Sequence, residues 1–327
     1  MILAGDIGGT HARLAYFDSQ NNHLTVAAEG VFASREHSCL DEIVTKFVSA
    51  QRQKPDVACF GVAGPVRNGK VETSNLPWTV EAARLASELQ LPSALLINDL
   101  EANAWGIANL EEKDLVPLNR VKGIPTGNQA VISAGTGLGE AGLYWDGHSY
   151  HIFASEGGHT DFAPRNELEM DLFRYLSARF GHVSYERIVS GPGLVNVYHF
   201  LRDTHRGEES EWLTDDLAHG DPAAAISRAA VSGKSPVAEH ALDLWISIYG
   251  AEAGNLALKL MATGGVYLGG GIAPKLVAKL TGLLFMQAFL GKGRMQPLLE
   301  SIPVRVITND KIALFGAARY ALAKEIK

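Results

Sequence analysis

Cysteine is nearly absent from this sequence of 327 residues, which contains only Cys39 and Cys59. Two cysteines are too few for a disulfide framework, and these two form no Cys-x-x-Cys pair that would indicate zinc or redox chemistry. Long apolar runs are also missing, because the most apolar window, residues 282–290, is about half of the ~20 residues that a membrane span requires. The N-terminus lacks the pattern of a signal peptide. We therefore expect a cytoplasmic protein with no membrane partner.

Basic residues are outnumbered, with 29 Lys and Arg against 36 Asp and Glu, and they form no cluster along the chain. A net charge of -7 repels polyanions, so we expect no nucleic-acid partner. A composition of 46% hydrophobic and 20% charged residues is typical of an ordered globular protein. At roughly 100 to 200 residues per domain, the length predicts about two domains.

Glycine is the one residue in excess, with 34 in the chain. Residues 2–18 and 130–146 each contain an apolar run, a glycine-rich turn and a second apolar run that ends in two aromatic residues and Asp. Aligned on Asp18 and Asp146, the two segments lie 128 residues apart, and Tyr16 matches Tyr144. The pattern predicts a β-hairpin near the start of each half and favours a duplicated domain over two unrelated hairpins.

The remaining periodicity predicts an α/β protein with mixed sheets. Residues 110–129 are polar and rich in Pro and Gly, which is typical of an interdomain link. The second half repeats the plan of the first with a helical insertion. The predicted strands are 26–33, 57–63, 94–97, 265–269 and 304–307, and the predicted helices are 41–51, 80–89, 167–180, 194–202, 221–231, 237–260 and 311–324.

Three glycine-rich turns are candidates for binding phosphate. They contain Gly8-Gly9-Thr10, Gly135-Thr136-Gly137 and Gly269-Gly270-Gly271. Glycine lets backbone N–H groups approach an anion with no Cβ in the way, and the third turn leads into a predicted helix. One such turn alone is usually hairpin geometry, whereas three together favour a nucleotide held by duplicated domains.

A literal G-x-G-x-x-G occurs at residues 137–142. A dinucleotide fingerprint requires a helix to open at these glycines, but Leu143-Tyr144-Trp145 is typical of a strand. We therefore reject the dinucleotide interpretation. The Gly-Lys-Ser/Thr ending of a Walker motif is absent from the sequence.

Asn98 and Asp99 follow the strand predicted at 94–97. Ligands of α/β sheets gather at the carboxyl ends of strands, so Asp99 could act as a general base at a substrate hydroxyl. Asn and Asp are also the preferred N-cap residues of helices, so capping explains the pair equally simply.

A second polar group surrounds two glycines, in Glu156-Gly157-Gly158-His159. Glu156 and His159 supply an acceptor and a donor, which suits a polyol, although a solvated surface turn has the same pattern. A metal site built from His148, His151, Glu156 and His159 is disfavoured, because a strand would split these side chains between two faces. Glu186, taken by itself, is typical of an exposed acid.

Together, these segments resemble bacterial glucokinase, a family of hexokinase-like sugar kinases with the actin-like ATPase fold. The six matching segments are residues 5–10, 97–99, 134–139, 156–159, 190–194 and 269–272, in the family's order along essentially the whole chain. The cysteine cluster that binds zinc in the related repressor and kinase family is absent from the sequence, so the chain resembles the zinc-free branch. His11 departs from the Asn that commonly follows Gly-Gly-Thr in these enzymes.

The resemblance implies two duplicated actin-like, ribonuclease H-like domains with mixed sheets around a central cleft, which we place at residues 1–109 with 300–327 and at 110–299. It implies ATP-dependent phosphorylation of glucose at the 6-hydroxyl, in a cytoplasmic homodimer, with Mg²⁺ as cofactor. Another hexose or amino sugar as substrate, or a sugar-sensing regulator without catalysis, stays open as an alternative.

The resemblance also assigns site residues. Asp99 resembles the catalytic base, and Asn98, Glu156, His159 and Glu186 resemble the groups that contact the sugar. Asp6 resembles the acid that places Mg²⁺ through water. The residues that resemble ATP contacts are Gly5, Asp6, Ile7, Gly8, Gly9, Thr10, Gly135, Thr136, Gly137, Gly270 and Gly271. Residues 64–78, with Asn75, are a candidate loop over the sugar.

Overall fold

The computed structural model describes residues 1–20, 23–51, 53–73, 76–123 and 125–325. The chain divides into two compact units, the first formed by Met1–Asp114, Ile152–Ala154 and Asn309–Lys327, and the second by Leu115–His151 and Ser155–Thr308. The sequence-based boundaries differ from these units by a few residues, mainly because residues 304–307 pair within the second sheet. The domain boundaries themselves stay a prediction.

Strands and helices alternate along both halves of the chain. The strands are β1 (Ile2–Ile7), β2 (His11–Gln20), β3 (His23–Ala33), β4 (Val57–Val62), β5 (Lys70–Glu72), β6 (Thr79–Glu81), β7 (Leu95–Asn98), β8 (Leu115–Pro117), β9 (Gln129–Ala134), β10 (Leu138–Trp145), β11 (Tyr150–Ser155), β12 (Gly265–Gly269) and β13 (Val304–Ile307). The helices are α1 (Leu40–Ser49), α2 (Ala82–Leu89), α3 (Asp99–Gly106), α4 (Glu167–Phe180), α5 (Gly191–Asp203), α6 (Glu211–His219), α7 (Pro222–Val231), α8 (Pro236–Leu260), α9 (Val277–Leu280), α10 (Leu283–Leu290), α11 (Gln296–Glu300) and α12 (Ile312–Glu325). Short 3₁₀ turns include Gly157–His159 and Tyr185–Arg187.

The first unit contains a five-stranded mixed sheet in the order β3-β2-β1-β4-β7. β1 runs antiparallel to β2 and parallel to β4, and β4 runs parallel to β7. Successive side chains of a strand point to opposite faces, so each face of the sheet has its own core. Leu3 and Ile7 belong to the core that contains residues of α1 and α2, whereas Ile2 and Ala4 belong to the core that contains residues of α3 and α12.

Glycine brings α12 unusually close to α3. A Cβ on Gly316 would lie 1.7 Å from the backbone oxygen of Ala102, and one on Gly106 would lie 2.2 Å from the oxygen of Ile312. Neither position leaves room for a side chain, because real Cβ contacts are never this short. The two helices therefore pack backbone to backbone on one face of the first sheet.

The second unit repeats this plan in a six-stranded sheet, in the order β11-β10-β9-β12-β13-β8. β9 runs antiparallel to β10 and parallel to β12, and β12 runs parallel to β13. The same sequence of pairings occurs around β1 in the first unit, which agrees with the predicted duplication. The helical insertion contributes α4 to α8, and the core of the unit contains buried residues from the sheet and from α8.

Some predictions need correction. The segment 110–129 is more than a link, because it contains β8, which pairs antiparallel with β13. The duplicated hairpins do not match residue for residue either, since Tyr16 is buried and Tyr144 is 54% exposed. The first turn is longer by one residue, because Ile7 pairs with Ala12 whereas Ala134 pairs with Leu138.

Other predictions are confirmed. The literal G-x-G-x-x-G begins at Gly137, directly before β10, and continues in that strand, so no helix opens at its glycines. The helix predicted at 167–180 and the strands predicted at 265–269 and 304–307 have the predicted bounds.

Within the described residues, no single helix is both long enough and apolar enough to cross a bilayer. One pair, Ala273–Leu280 and Leu283–Leu290, reaches the length and composition together but bends by 89° between its two parts. Phe285 and Phe289 of α10 are buried in the core of the second unit.

Candidate active site

In the first unit, Asn98 and Asp99 lie where β7 ends and α3 begins. Asn98 is the N-cap of α3, and its side-chain oxygen accepts a hydrogen bond from the Leu100 N–H at 2.8 Å. The Asn98 side-chain amide donates to the Gly64 carbonyl at 3.1 Å. Asp99 Oδ1 also accepts from the Leu100 N–H, at 2.9 Å. Capping therefore explains Asn98, and it fixes both side chains at the carboxyl end of a parallel strand.

The turn between β1 and β2 presents backbone donors. The Gly8 N–H donates to the His11 carbonyl at 3.0 Å and closes the turn. Among the described residues, no acceptor takes a hydrogen bond from the N–H groups of Gly9 and Thr10. Unpaired N–H groups at a glycine turn suit an anion such as phosphate. Gly5 and Ile7, by contrast, are buried, and a Cβ on Gly5 would lie 2.5 Å from the Phe60 ring, so these two positions serve packing.

Asp6 lies near the end of β1, on the same face as Ala4. Burial raises the pKa of Asp6 to about 6, the Arg13 guanidinium lowers it, and the Asp310 carboxylate raises it again. Arg13 is itself paired with Asp310, at 2.7 Å. Carboxylate oxygen is a preferred ligand of Mg²⁺ and of its bound waters, and a cation there would offset the cost of burying this charge. Asp6 therefore fits the role of an acid that helps to hold Mg²⁺.

In the second unit, the turn between β9 and β10 has the same character. The Gly135 N–H donates to the Gly137 carbonyl at 2.8 Å, and the N–H groups of Thr136 and Gly137 donate to no acceptor in the described part of the chain. Gly270 follows β12 with φ of +80°, and a Cβ there would lie 2.4 Å from the Ala134 carbonyl. Gly271 has open space where a Cβ would be. Two glycine turns thus lie at the ends of the adjacent strands β9 and β12.

The second unit also brings Glu156, His159 and Glu186 together. His159 Nε2 lies 3.9 Å from Glu156 Oε2, and His159 Nδ1 lies 3.8 Å from Glu186 Oε1. The Glu156 and His159 side chains are 64% and 58% exposed, and that of Glu186 is 29% exposed. These separations are too long for hydrogen bonds, so the donors and acceptors are available to a ligand. The arrangement suits a polyol.

Glu186 is more than the exposed acid that its local sequence suggests. Its Oε2 accepts a hydrogen bond from the Leu138 N–H at 2.9 Å, and a Cβ on Gly137 would lie 2.5 Å from the same oxygen. Ser190 supports the segment, because its hydroxyl donates to the Glu186 carbonyl at 2.7 Å and accepts from the Gly193 N–H at 3.0 Å. A candidate sugar ligand is thus joined directly to a candidate phosphate turn.

One histidine of the disfavoured metal site has a carboxylate partner outside that set. His151 pairs with Asp146 at 2.6 Å. Across the residues that the structure describes, no group of three or more His, Cys, Asp and Glu side chains is arranged to hold a metal ion. Asn75 of the candidate loop lies outside the described residues. His11 is exposed at the start of β2.

Two buried acids of the second unit, Glu140 and Glu252, were not predicted from the sequence. Both are almost completely buried, at 1% and 0% exposure. The available signal was the strand period, because Glu140 shares its face of β10 with Leu138, where an apolar residue is expected. Its partner on α8 is more than a hundred residues away in the chain, and sequence spacing does not reveal such a pair.

Comparison with known proteins places the chain in one family. A family model described as Glucokinase matches residues 3–324. The glucokinase of Nostoc sp. strain PCC 7120 is 44% identical to this chain over 334 aligned positions, which cover 97% of this chain and 98% of the relative. The structure of a glucokinase from an Antarctic psychrotroph is 31% identical, with a TM-score of 0.83 and 98% of both chains covered. A ROK family glucokinase from Streptomyces griseus, solved with glucose and AMPPNP, shares the fold at 22% identity, a TM-score of 0.63 and coverage of 98% and 99%.

Proposed function

The chain belongs to the glucokinase family, and we propose that it transfers the γ-phosphoryl group of ATP to the 6-hydroxyl of glucose. The observation that carries this proposal is the hydrogen bond of 2.9 Å between Glu186 and the Leu138 N–H. It joins a group of polyol-type ligands to a turn with unpaired N–H donors. Such a junction is what a kinase needs where the acceptor alcohol meets the phosphate.

In the proposed reaction, Asp99 acts as general base and accepts the proton of the 6-hydroxyl as the oxygen attacks phosphorus. Phosphoryl transfer asks for little covalent chemistry from the protein, so positioning and charge stabilisation dominate. The anchoring of Asp99 at the start of α3 supports this role, because its carboxylate is fixed by the Leu100 N–H. Asn98 contacts the sugar from the same strand end.

Glu156, His159 and Glu186 bind the hydroxyl groups of glucose. A sugar that lacks one of these hydroxyls would leave a polar group of the site unpaired, which is a strong basis for discrimination. The N–H groups of Gly9, Thr10, Thr136 and Gly137 receive the phosphates of ATP, and Gly270 and Gly271 lie on the adenosine side. Asp6 would hold Mg²⁺ through water, and such an ion would supply positive charge to offset that of the phosphate oxygens.

The substrate is tested by coupled release of ADP with glucose, mannose, fructose and N-acetylglucosamine. We expect glucose to give the highest kcat/KM. A higher value with N-acetylglucosamine or another hexose would move the chain to the alternative substrate. No sugar-dependent release of ADP would instead favour a sugar-sensing regulator on the same fold.

Three further expectations belong to this proposal. We infer a cytoplasmic homodimer, and a boundary between domains near residues 109 and 299. Light scattering coupled to size-exclusion chromatography measures the oligomeric state, and a monomer at micromolar concentration would contradict it. Limited proteolysis tests the boundaries.

A further inference from the structure

Glu140 on β10 and Glu252 on α8 are two buried carboxyl groups, and the charge of Glu252 acts on Glu140 and raises its pKa. A carboxylate can only accept, so a hydrogen bond between two carboxyl groups requires a proton on one of them. Glu140 Oε1 is buried, and no donor in the described residues gives it a hydrogen bond. A proton on Glu140, donated to Glu252, would give this buried oxygen a partner.

The electrostatics agree with this placement of the proton. Burial raises the pKa of Glu140 to about 8, the charge of Glu252 adds to the rise, Lys259 opposes it and the hydrogen bond to Glu252 supports it. The Lys259 ammonium group donates to Glu252 Oε1 at 3.3 Å. Lys292 and the hydroxyls of Tyr185 and Tyr249 also face these two carboxyl groups.

Glu140 supports the turn that carries Glu156 and His159. A Cβ on Gly157 would lie 1.9 Å from Glu140 Oε2 and 2.8 Å from its Cδ, so the backbone of the turn rests directly on the carboxyl group. The neighbouring Gly158 rests on the strand itself, because a Cβ there would lie 2.0 Å from the Leu138 carbonyl. The Glu140 side chain therefore helps to set the distance between β10 and the turn Gly157–His159.

Glu252 supports the segment that carries Glu186. Its carboxylate accepts from the Asn255 side-chain amide at 2.7 Å. Asn255 also donates to the Tyr185 hydroxyl, at 2.9 Å. Tyr185 immediately precedes Glu186, and its ring is buried. Glu140 therefore lies against the turn that carries Glu156 and His159, and Glu252 is linked through Asn255 to Tyr185, the residue before Glu186.

We propose that Glu140 and Glu252 are positioning residues, a carboxyl pair that shares one proton and sets the geometry of Glu156, His159 and Glu186. This inference rests on the proposed function, because it takes those three groups as the ligands of glucose. Neither carboxyl group of the pair touches the sugar. Loss of the shared proton would place two negative charges side by side in the core and push the turn away from β10.

The pH dependence has a defined sign. Because the pKa of Glu140 in the folded chain lies above its ordinary value of 4.5, the stabilisation is complete below that value and is lost as pH rises through about 8. We expect KM for glucose to rise by up to ~10-fold between pH 7 and pH 9, since each pH unit beyond the pKa leaves a tenth of the protonated form. KM for ATP should change less.

Three variants test the pair. E140Q keeps a neutral donor towards Glu252, so it should keep KM for glucose at pH 7 close to that of the parent and flatten the rise up to pH 9. E140A removes the donor and the support, and should raise KM for glucose at every pH. E169Q is the matched control, because Glu169 is equally buried but pairs with Arg165; it should lower Tm and leave the pH profile of KM unchanged.

The contact with the turn is tested by a double-mutant cycle. G157A should raise KM for glucose strongly in the parent, because its Cβ meets the Glu140 carboxyl, and only weakly in the E140A background. Equal effects of G157A in both backgrounds would overturn the inference. G158A meets the backbone of Leu138, so Glu140→Ala should not rescue it.

Infrared spectroscopy tests the shared proton without any activity assay. The parent at pH 7 should show the carbonyl stretch of a protonated carboxyl group, and E140Q should lack it. Absence of this band in the parent would refute the pair even if glucose is phosphorylated. The two proposals can fail separately. If the infrared band is present and calorimetric glucose binding shows the coupling of G157A with E140A, but no hexose is phosphorylated, the proposed function is refuted and the carboxyl pair stands.

Discussion

The two units hold their candidate functional acids in different ways. In the first unit, Asp6 lies within a strand, and Asp99 begins a helix and accepts a hydrogen bond from the N–H of its second residue, Leu100, at 2.9 Å. In the second unit, Glu156 and His159 lie in a 3₁₀ turn with more than half of each side chain exposed. A backbone N–H therefore fixes Asp99 in the first unit. In the second unit a backbone N–H also holds Glu186, whereas Glu156 and His159 can adjust their exposed side chains.

This difference matches two tasks. Chemistry at one hydroxyl tolerates little misplacement, so a base benefits from a rigid strand end. Recognition of several hydroxyls benefits from side chains that can settle on a ligand while the turn beneath them is held in place. We therefore expect substitutions in the first unit to act mainly on kcat and those in the second mainly on KM for glucose.

The largest effect should come from D99N. If this substitution changed only glucose binding and not kcat, the expected division of tasks between the two units would be wrong. The amide cannot accept the proton of the 6-hydroxyl, so kcat should fall by ~10²- to 10⁴-fold. The dissociation constant for glucose, measured by calorimetry, should stay within a few-fold of the parent. E112Q, at an exposed position of the same unit, is the control and should leave both constants unchanged. A near-normal kcat in D99N would show that another group is the base.

E186Q tests the second half of the comparison. Hydrogen bonds that involve a charged group contribute about 1.5 to 3 kcal/mol, so KM for glucose should rise by roughly 10- to 100-fold. The fall in kcat should be much smaller than in D99N. KM for ATP should rise a few-fold as well, because Glu186 also anchors the Leu138 N–H of the phosphate turn. A loss confined to kcat would contradict the division of tasks.

The smallest effects are expected from alanine substitutions in the two glycine turns, at Gly8 and at Gly137, which should differ in their effect on KM for glucose. A Cβ at Gly137 would lie 2.5 Å from Glu186 Oε2, whereas one at Gly8 would meet only the His11 carbonyl, at 3.2 Å. G137A should therefore displace Glu186 and raise KM for glucose several-fold, and G8A should leave KM for glucose almost unchanged. Steady-state kinetics of both variants decides the point. Equal effects on glucose would mean that the Glu186 contact does not distinguish the turns.

Much of the fold could be predicted, because local patterns carried it. The alternation of apolar residues and the glycine turns predicted the strands on both sides of each hairpin, and periodicity predicted α8 within a residue of its start. β8 was missed because a strand of three residues that includes Pro117 is too short to show a period, and it pairs as a strand with β13. α6 was missed because only Leu213 of its nine residues is buried, so its apolar face is weak.

In the candidate site, too, the residues given by local sequence patterns could be predicted, and the contacts between distant segments could not. Asn98, Asp99 and the glycine turns follow from the ends of predicted strands, and the structure places them there. The role of each remains a prediction. The contact of Glu186 with Leu138 and the pairing of Glu140 with Glu252 depend on segments that are far apart in the chain, and such contacts appear only once the sheet and α8 are packed.

The close packing of α12 on α3 has a consequence for synthesis. α12 supplies Ala313, Leu314, Ala317, Ala318 and Ala321 to one of the two cores of the first unit. The ribosome makes this helix only after all of the second unit, so one face of the first sheet stays only partly covered in the nascent chain. Until α12 arrives, the helix that carries Asp99 lacks its neighbour, and the emerging chain is a natural client for a chaperone.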